Sequence, residues 1–504
     1  MAGRHQSQLA GLPTITYAMH LSLILDMAAD TLGDRRAVTA PDGTLTYAEL
    51  RERVDILAGS LAGERAVQLG LNSLAVPVTL FAAARAGAAF TPLNYRLADP
   101  DLVRIATRAA PAAAVIDHDM VSRVSSVDGL SIIETEQLGS VEPTDFVPDF
   151  DTDNVAIMLF TSGTTGEPKA AVLRHRHVTS YVMGTLEFAA AGEEEATLVT
   201  VPGYHIAGIS AVVSSTYVGR RIVYLAQFDP QAWVSTAAFE AITHAMVVPT
   251  MLGRVLDVME AEQVELPALR HLSYGGGKMP VPVIERALAL MPHVNFVNAY
   301  GLTETSSTIA VLTPDDHRDA LASDDPAVRR RLGSVGRPSP SVEISIRDPF
   351  GEPVPEGEAG EIWVRGEQVS GEYVGREGGG EWFATRDGGY LDESGFLFIE
   401  GRLDDVIVRG GENISPGEIE EVLREHPAVD DVAVYAIPSQ EWGEDIGASV
   451  VLVGDVDIEE LREWVRGRLR STRVPAMFDI RTELPYNETG KLLRRVLKAE
   501  AAPG

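Results

Sequence analysis

Val155-Ala156-Ile157-Met158-Leu159-Phe160-Thr161-Ser162-Gly163-Thr164-Thr165-Gly166-Glu167-Pro168-Lys169 is the stretch that decides how this chain folds and what it can hold. The apolar run 155–160, followed at once by Thr, Ser and Gly, predicts a buried strand that delivers a loop. In that loop Gly163 and Gly166 let backbone amides approach an anion with no Cβ in the way. Thr161, Ser162, Thr164 and Thr165 offer hydroxyls to phosphate oxygens, and Lys169 adds a mobile charge. The segment is not a Walker A loop, which needs four residues between its first glycine and the Gly-Lys pair and then Ser or Thr; here Gly163 and Gly166 enclose two, and Ala170 follows the lysine.

Lys169 stands out for a second reason. Of 42 basic residues only four are lysines, namely Lys169, Lys278, Lys491 and Lys498. Where arginine carries nearly every solvated positive charge, a lysine kept in a Gly-rich loop points to a need for a compact ammonium. Lys491 sits in such a place, at the end of Pro485-Tyr486-Asn487-Glu488-Thr489-Gly490-Lys491. Lys498 reads as a solvated residue on the last helix.

The length of 504 residues predicts two to four domains at about 100–200 residues each. A net charge of −31 argues against nucleic acid as a partner, because phosphate backbones require clustered Lys and Arg. No apolar run reaches the roughly 18 residues of a membrane span, and the best candidate, residues 21–29, is interrupted by Asp26. With no signal peptide pattern and no cysteine, the chain is read as cytoplasmic, without disulfides or thiolate chemistry.

Residues 45–119 alternate helical patterns such as 47–61 with apolar runs such as 112–116, which predicts α/β structure. Runs at 245–248 and 294–297 resemble buried strands. From Gly333 to Arg365 short β pieces at 342–346 and 361–364 predict a small β-rich unit, and residues 371–380 a loose connection. After Gly401-Arg402-Leu403-Asp404-Asp405 a compact unit of about 100 residues follows. In it Ser415-Pro416-Gly417-Glu418 has the form of a capping box, Asp457 with Glu460 resembles a second, and apolar strands are expected at 432–437 and 448–453.

Taken in order, the motifs resemble those of the adenylate-forming superfamily: acyl-CoA synthetases, nonribosomal peptide adenylation domains and firefly-type luciferases. Thr161 to Lys169 is similar to the family's phosphate loop. Gly275-Gly276-Gly277-Lys278-Met279-Pro280, Tyr300-Gly301-Leu302-Thr303-Glu304, Gly401 to Asp405, Gly410-Gly411-Glu412-Asn413 and Pro485 to Lys491 follow at similar spacing. The resemblance implies a large N-terminal domain, residues 1–403, of two α/β subdomains plus a small β-barrel-like subdomain. A small mobile α+β C-terminal domain, residues 404–504, would follow, hinged at Asp404.

It further implies ATP, Mg²⁺ and CoA, with a carboxylic acid as substrate. A carboxylate is a poor acyl donor; joining it to the α-phosphate with loss of pyrophosphate gives an acyl-AMP open to a thiol, and positioned cations lower that barrier. By resemblance Lys491 contacts the carboxylate and α-phosphate, Lys169 steadies the departing phosphates with Ser162, Gly163, Thr164, Thr165 and Gly166, and Glu304 with Thr161 holds Mg²⁺. Tyr300 would stack on adenine among Gly275, Gly276, Gly277 and Asn298, followed by Gly301 and Thr303, while Asp387 and Arg402 would take the ribose hydroxyls. Gly410 and Gly411 lie in the loop presented for the CoA step. The chain departs from the family at Thr385-Arg386-Asp387, where Thr-Gly-Asp is usual, and at Ala170-Ala171, where Gly-Val is commoner.

On the acyl side, Val201-Pro202-Gly203-Tyr204-His205-Ile206-Ala207-Gly208 resembles the segment between acyl pocket and pantetheine tunnel, with His205 as a gating or binding residue. Residues 206–209 offer no aspartate for an α-amino group, which disfavours an amino-acid substrate. Apolar Ile206, Ile209, Val212, Val213 and Val248 suggest an uncharged aliphatic, alicyclic or aryl acid, though core packing explains several of them equally well. The expected activity is an acid:CoA ligase. An acyl-AMP ligase loading a carrier protein is the alternative, disfavoured by a shortened rather than lengthened segment between Glu304 and Asp387; a non-catalytic nucleotide binder would be expected to lose Asp404 and Lys491, and both are present. A homodimer is compatible with the sequence, which is silent on oligomeric state.

Overall fold

The computed structural model describes residues 19–61, 65–139, 148, 150–161, 169–375, 380–409, 412–440, 442–454, 456–487 and 492–501. Short apolar runs bounded by turn residues become central strands, because both of their faces need cover. Val155–Thr161 is one of them. Its seven-stranded sheet runs Glu372–Tyr373, Lys169–Arg174, Val155–Thr161, Ala89–Pro92, Arg65–Leu69, Ala112–Ile116 and Leu130–Glu134. A nine-stranded sheet runs Arg337–Pro338, Ser307–Leu312, Asn295–Leu302, His271–Gly275, His244–Val247, Ala196–Val199, Arg221–Tyr224, Arg36–Ala40 and Gly43–Thr46.

One continuous core joins these two sheets. Helices Leu21–Leu32, Ala75–Arg85 and Ile206–Val218 bring Ile24, Leu25, Phe81, Ile209 and Val213 against Phe90 and Ile157 of one sheet and Val38 and Ile222 of the other. Asp26, the break in the first apolar run, forms an ion pair with the nearly buried Arg85, so the charge is paired rather than left unmatched in the core. A second core around Trp233, Tyr274 and Phe296 covers the nine-stranded sheet's helices Pro230–Phe239 and Pro249–Glu262.

The β-rich unit is a four-stranded antiparallel sheet, Val342–Arg347, Gly360–Gly366, Phe383–Leu391 and Leu397–Arg402. The small C-terminal unit has its own core, where Ile407, Ile419, Leu423, Val432, Ile446 and Leu461 pack together. Its five-stranded sheet combines Glu412–Ile414, Ile407–Arg409, Gly443–Leu452 and Val429–Ser439 with Met477–Arg481.

Three local expectations are corrected. Ser415 precedes helix Pro416–Arg424 but makes no cap bond; its hydroxyl donates instead to the Glu400 carbonyl at 3.2 Å, across to the four-stranded sheet. Asp457 does cap helix Ile458–Arg466, accepting from the Glu459 N–H at 2.9 Å. The connection at 371–380 is not loose throughout, since Glu372 and Tyr373 pair antiparallel with Val172 and Ala171. Lys498 is not merely solvated, because its Nζ lies 3.7 Å from Asp405.

Helix His175–Thr185 opens on two buried imidazoles that must be neutral, because each accepts a backbone N–H at Nδ1, His175 from Leu21 at 3.3 Å and His177 from Arg174 at 3.2 Å. Burial holds both at about 3, helped by His20 for the first and by Arg176 and Arg174 for the second. The unfolded chain takes up these protons near the ordinary value of 6.5. Their contribution is therefore full above pH 6.5 and is lost as pH falls toward 3, each ring giving a slope of up to about 1.4 kcal/mol per pH unit. Urea unfolding near neutral pH and in mild acid should show this loss, and a His175→Gln, His177→Gln variant should show a flatter pH dependence; an unaltered slope in that variant counts against the assignment.

Candidate active site

The carboxyl ends of parallel strands supply most of the predicted site. Strands Ala196–Val199, His244–Val247, His271–Gly275 and Asn295–Leu302 run parallel side by side, so Gly275, Tyr300 and the turn carrying Glu304 emerge at one edge of the sheet. Open α/β sheets take ligands at that edge. Thr161 ends a strand of the other sheet and faces Lys169 in register, with its hydroxyl donating to the Lys169 carbonyl at 3.3 Å. After Lys169 the chain continues as an antiparallel strand and not as a helix, so no helix dipole adds to the lysine there. Ser162, Gly163, Thr164, Thr165 and Gly166 lie outside the described residues, as do Gly410, Gly411 and Lys491.

Lys169, Tyr373 and Glu304 form a connected group that links the two sheets. The Lys169 ammonium lies 5.7 Å from the centre of the Tyr373 ring, and the Tyr373 hydroxyl donates to Glu304 Oε1 at 2.6 Å. Burial, then the adjacent Glu304 carboxylate, raises the Tyr373 phenol, which keeps it a donor. Glu304 sits with Thr303 in the turn Thr303–Thr305, and its carbonyl accepts from Ser370 at 2.8 Å and Gly371 at 3.3 Å. Buried Gln368 braces the same turn, its amide nitrogen donating to the carbonyls of Thr305 at 3.1 Å and Thr308 at 2.8 Å.

Among the described residues no three His, Asp or Glu side chains gather into a protein-made metal cage. Mg²⁺ does not require one, because it retains water and is usually held by one or two carboxylates plus substrate phosphates. A single carboxylate at Glu304, joined through Tyr373 to Lys169 opposite Thr161, fits that donor set.

Tyr300, Asp387 and Arg402 come together as a second group. Asp387 is buried and accepts from the Tyr300 hydroxyl at 2.6 Å and from Arg402 Nη1 at 2.8 Å; Arg402 also donates to the Thr385 carbonyl at 3.0 Å. Burial and the Asp387 carboxylate raise the Tyr300 phenol. Buried Asn298 directs its amide nitrogen to the Ser334 carbonyl at 3.0 Å.

The motif glycines answer first to backbone packing. A Cβ on Gly275 would lie 2.3 Å from the Ala299 carbonyl oxygen, and one on Gly301 would lie 1.8 Å from that of Ser307. Gly276 has a φ of +80°, while Gly277 is solvent-exposed beside it. Arg386, where the family prefers glycine, takes a φ of +64° and so reproduces the glycine turn, and its Nη2 meets Asp404 Oδ1 at 2.8 Å.

His205 precedes helix Ile206–Val218 and packs its ring against Tyr204, with centres 4.5 Å apart; Tyr204 in turn meets Tyr95 edge-on. Ile209, Val212 and Val213 have no surface left for a ligand, since they are fully enclosed in the inter-sheet core, and Val248 is enclosed in the second core. Of the expected apolar lining only Ile206 is half-buried. Tyr373 and Gln368 were not singled out by sequence; a lone Tyr after Gly-Glu carries no signal of its own, and a buried Gln is visible only through its partners.

With this geometry in place, the likeness to known proteins is extensive. The model of the AMP-binding enzyme family matches residues 25–374, and that of the AMP-binding enzyme C-terminal domain matches residues 418–491. A feruloyl-CoA synthase of Amycolatopsis sp is 33% identical over 486 residues, spanning 91% of this chain and 96% of that protein. A 2-succinylbenzoate–CoA ligase of Bacillus cereus (strain Q1) is 30% identical over 477 residues, spanning 92% and 95%. The structure of o-succinylbenzoate CoA synthetase from Bacillus subtilis with its acyl-adenylate intermediate has a TM-score of 0.82 at 28% identity, covering 94% of this chain and 97% of that one. The same enzyme has been solved with ATP and a magnesium ion. The chain belongs to the AMP-binding enzyme family, and within it to the AMP-forming acid–thiol ligases. ATP, Mg²⁺ and CoA are the small molecules of that chemistry. Among the described residues no helix is long and apolar enough to cross a membrane.

The glycine geometry gives a stability test. Gly301→Ala forces a methyl into the Ser307 carbonyl and should destabilise the fold by about 1–3 kcal/mol or more, read as a lower melting temperature with no nucleotide present. A variant as stable as the parent but weak in ATP binding would instead make Gly301 a ligand contact.

Proposed function

We propose that this protein couples a hydrophobic carboxylic acid to CoA in two steps at one site. In the first, a carboxylate oxygen bonds to the α-phosphorus of ATP and pyrophosphate leaves. In the second, the CoA sulfur, having lost its proton, bonds to the acyl carbon and AMP leaves. The observation that carries this reading is the adjacency of the Tyr300–Asp387–Arg402 and Glu304–Tyr373–Lys169 groups on the chain's strand ends, next to Asp404.

Tyr300 offers a ring for adenine, and Asp387, already an acceptor of two hydrogen bonds, offers its oxygens to the ribose hydroxyls. Glu304, with Thr161, would hold Mg²⁺, which would neutralise phosphate charge during displacement. Lys169 attracts the leaving pyrophosphate, and the hydroxyls and amides of Ser162, Gly163, Thr164, Thr165 and Gly166 would bind it as well. Lys491 supplies the charge between carboxylate and α-phosphate. The segment that carries it is anchored on the small domain: Tyr486 and Leu492 pair across it, the Leu493 N–H donates to the Pro485 carbonyl at 2.8 Å, and the Tyr486 hydroxyl donates to Asp431 at 2.6 Å.

Residues 1–403 then form the large domain and 404–504 the small one, with Asp404 as the hinge that brings Lys491 and the Gly410-Gly411 loop to the site in turn. His205 and Tyr204 wall the acyl side. Residues 206–209 give no anion for an α-amino group, and the relatives' named acyl groups, feruloyl and 2-succinylbenzoate, both carry a benzene ring. Aryl acids are therefore the first substrates to try, ahead of aliphatic ones.

Pyrophosphate release with ATP and Mg²⁺ across a panel of aryl, alicyclic and aliphatic acids, with and without CoA, tests the reading. Acid-dependent pyrophosphate and a CoA thioester are expected; none from any acid class would reject it, and acyl-AMP without thioester would favour a carrier-protein acceptor. Lys491→Ala should slow adenylation by about 10²-fold or more, as loss of one well-placed electrostatic donor does. Asp387→Asn should raise the KM for ATP by about tenfold, the scale of one charge-assisted hydrogen bond, and an unchanged KM would remove Asp387 from the nucleotide site.

A further inference from the structure

Arg386 holds a backbone conformation suited to glycine, and its side chain shows what the arginine does there. Its φ of +64° falls inside strand Phe383–Leu391, where the ladder to Gly360–Gly366 skips from the Trp363–Ala384 pair to the Glu361–Gly388 pair. A large side chain in the left-handed region carries a conformational cost that surrounding contacts must offset. The contacts present are ionic: Nη2 lies 2.8 Å from Asp404 Oδ1, and Nη1 lies 3.7 Å from Glu361 Oε1, an oxygen with no hydrogen-bond donor among the described residues.

The residue after Asp404 turns the other way. Asp405 lies 3.4 Å from Arg494 Nη1 and 3.7 Å from Lys498 Nζ, both on helix Arg494–Ala501 of the small C-terminal unit. Two consecutive carboxylates are thus tied to opposite sides of the interdomain crossing. With the large domain held still, rotation about the N–Cα bond of Asp404 swings its Cβ and carboxylate off Arg386, so the ion pair resists that rotation.

We propose that Arg386 is a positioning residue that latches the hinge: its ion pair with Asp404 favours the domain orientation described here and opens when the small domain turns. This rests on Asp404 being the hinge. The latch also lies one residue from Asp387, so a single bulge holds both a nucleotide-site carboxylate and the restraint on domain rotation. Both partners are partly exposed, 56% for the Arg386 side chain and 26% for Asp404, so the bias is modest, about two- to five-fold in the ratio of orientations.

The chain has no cysteine, so two introduced thiols can be labelled without background. With dyes on Glu356→Cys in the large domain and Val453→Cys in the small one, both exposed positions, single-molecule energy transfer counts the orientations in the free enzyme and with ATP and Mg²⁺. Arg386→Asn tolerates the left-handed turn and removes the charge; it should lower the ratio of the present orientation to the other about two- to five-fold, while Arg386→Lys retains most of it. Salt at about 1 M should move the parent toward the Arg386→Asn proportion and move that variant less, since the variant keeps only the exposed Lys278–Glu421 pair at 2.9 Å to be screened between these two domains among the described residues. Two distances in equal proportion in parent and Arg386→Asn would overturn the latch alone. One distance in every variant, with and without nucleotide, would overturn the hinge reading itself.

Discussion

The carboxylate of Asp387 is the point on which the rest of the site depends. A carboxylate removed from water must be matched by donors, since leaving it unmatched costs several kcal/mol at about the scale of other buried charges. Its donors come from two sheets: the Tyr300 hydroxyl from strand Asn295–Leu302 and the Arg402 guanidinium from strand Leu397–Arg402. Satisfying one side chain therefore seats the four-stranded sheet against the end of the nine-stranded sheet, and the residues proposed for the nucleotide lie on that seam. The Thr385 hydroxyl adds local order, accepting the Asp387 N–H at 3.1 Å while donating to the Ile362 carbonyl at 2.7 Å.

The seven-stranded sheet is bound to the same seam by the segment that leaves Gly366. Gln368 meets the carbonyls of Thr305 and Thr308, Ser370 meets the carbonyls of Glu304 and Val172 through its N–H and hydroxyl, and Glu372 accepts from Arg174 Nη2 at 2.7 Å and Nε at 2.9 Å. Tyr373 completes the set at Glu304. These are directional contacts to backbone and carboxylate groups. Their effect is to fix where Glu304 points more than to add burial, which the cores beneath already supply.

What the sequence discloses follows from range. Strand Ala112–Ile116 is legible to the residue, because a short apolar run between helical patterns has one way to be covered, and the turn after Tyr300-Gly301 is legible because its chemistry is local. Tyr373 and Glu304 are 69 positions apart, and Arg386 and Asp404 are 18 apart across a strand return, so neither pair leaves a periodic trace. Ile209, Val212 and Val213 read as a pocket wall or as core with equal ease; only the helix's orientation between two sheets settles them as core. Ser415 matches a capping pattern, yet a nearer acceptor at Glu400 takes its hydroxyl. Local grammar predicts what a residue can do, and tertiary competition selects among the choices.

The short strand Glu372–Tyr373 has one more consequence. Without it, Lys169–Arg174 would be the outermost strand of the seven-stranded sheet, with a row of unpaired backbone groups facing outward. Such a row is a template on which another chain can add a strand. By pairing with Ala171 and Val172 and pinning Arg174, this two-residue segment closes the sheet's margin where strand Lys169–Arg174 would otherwise invite aggregation.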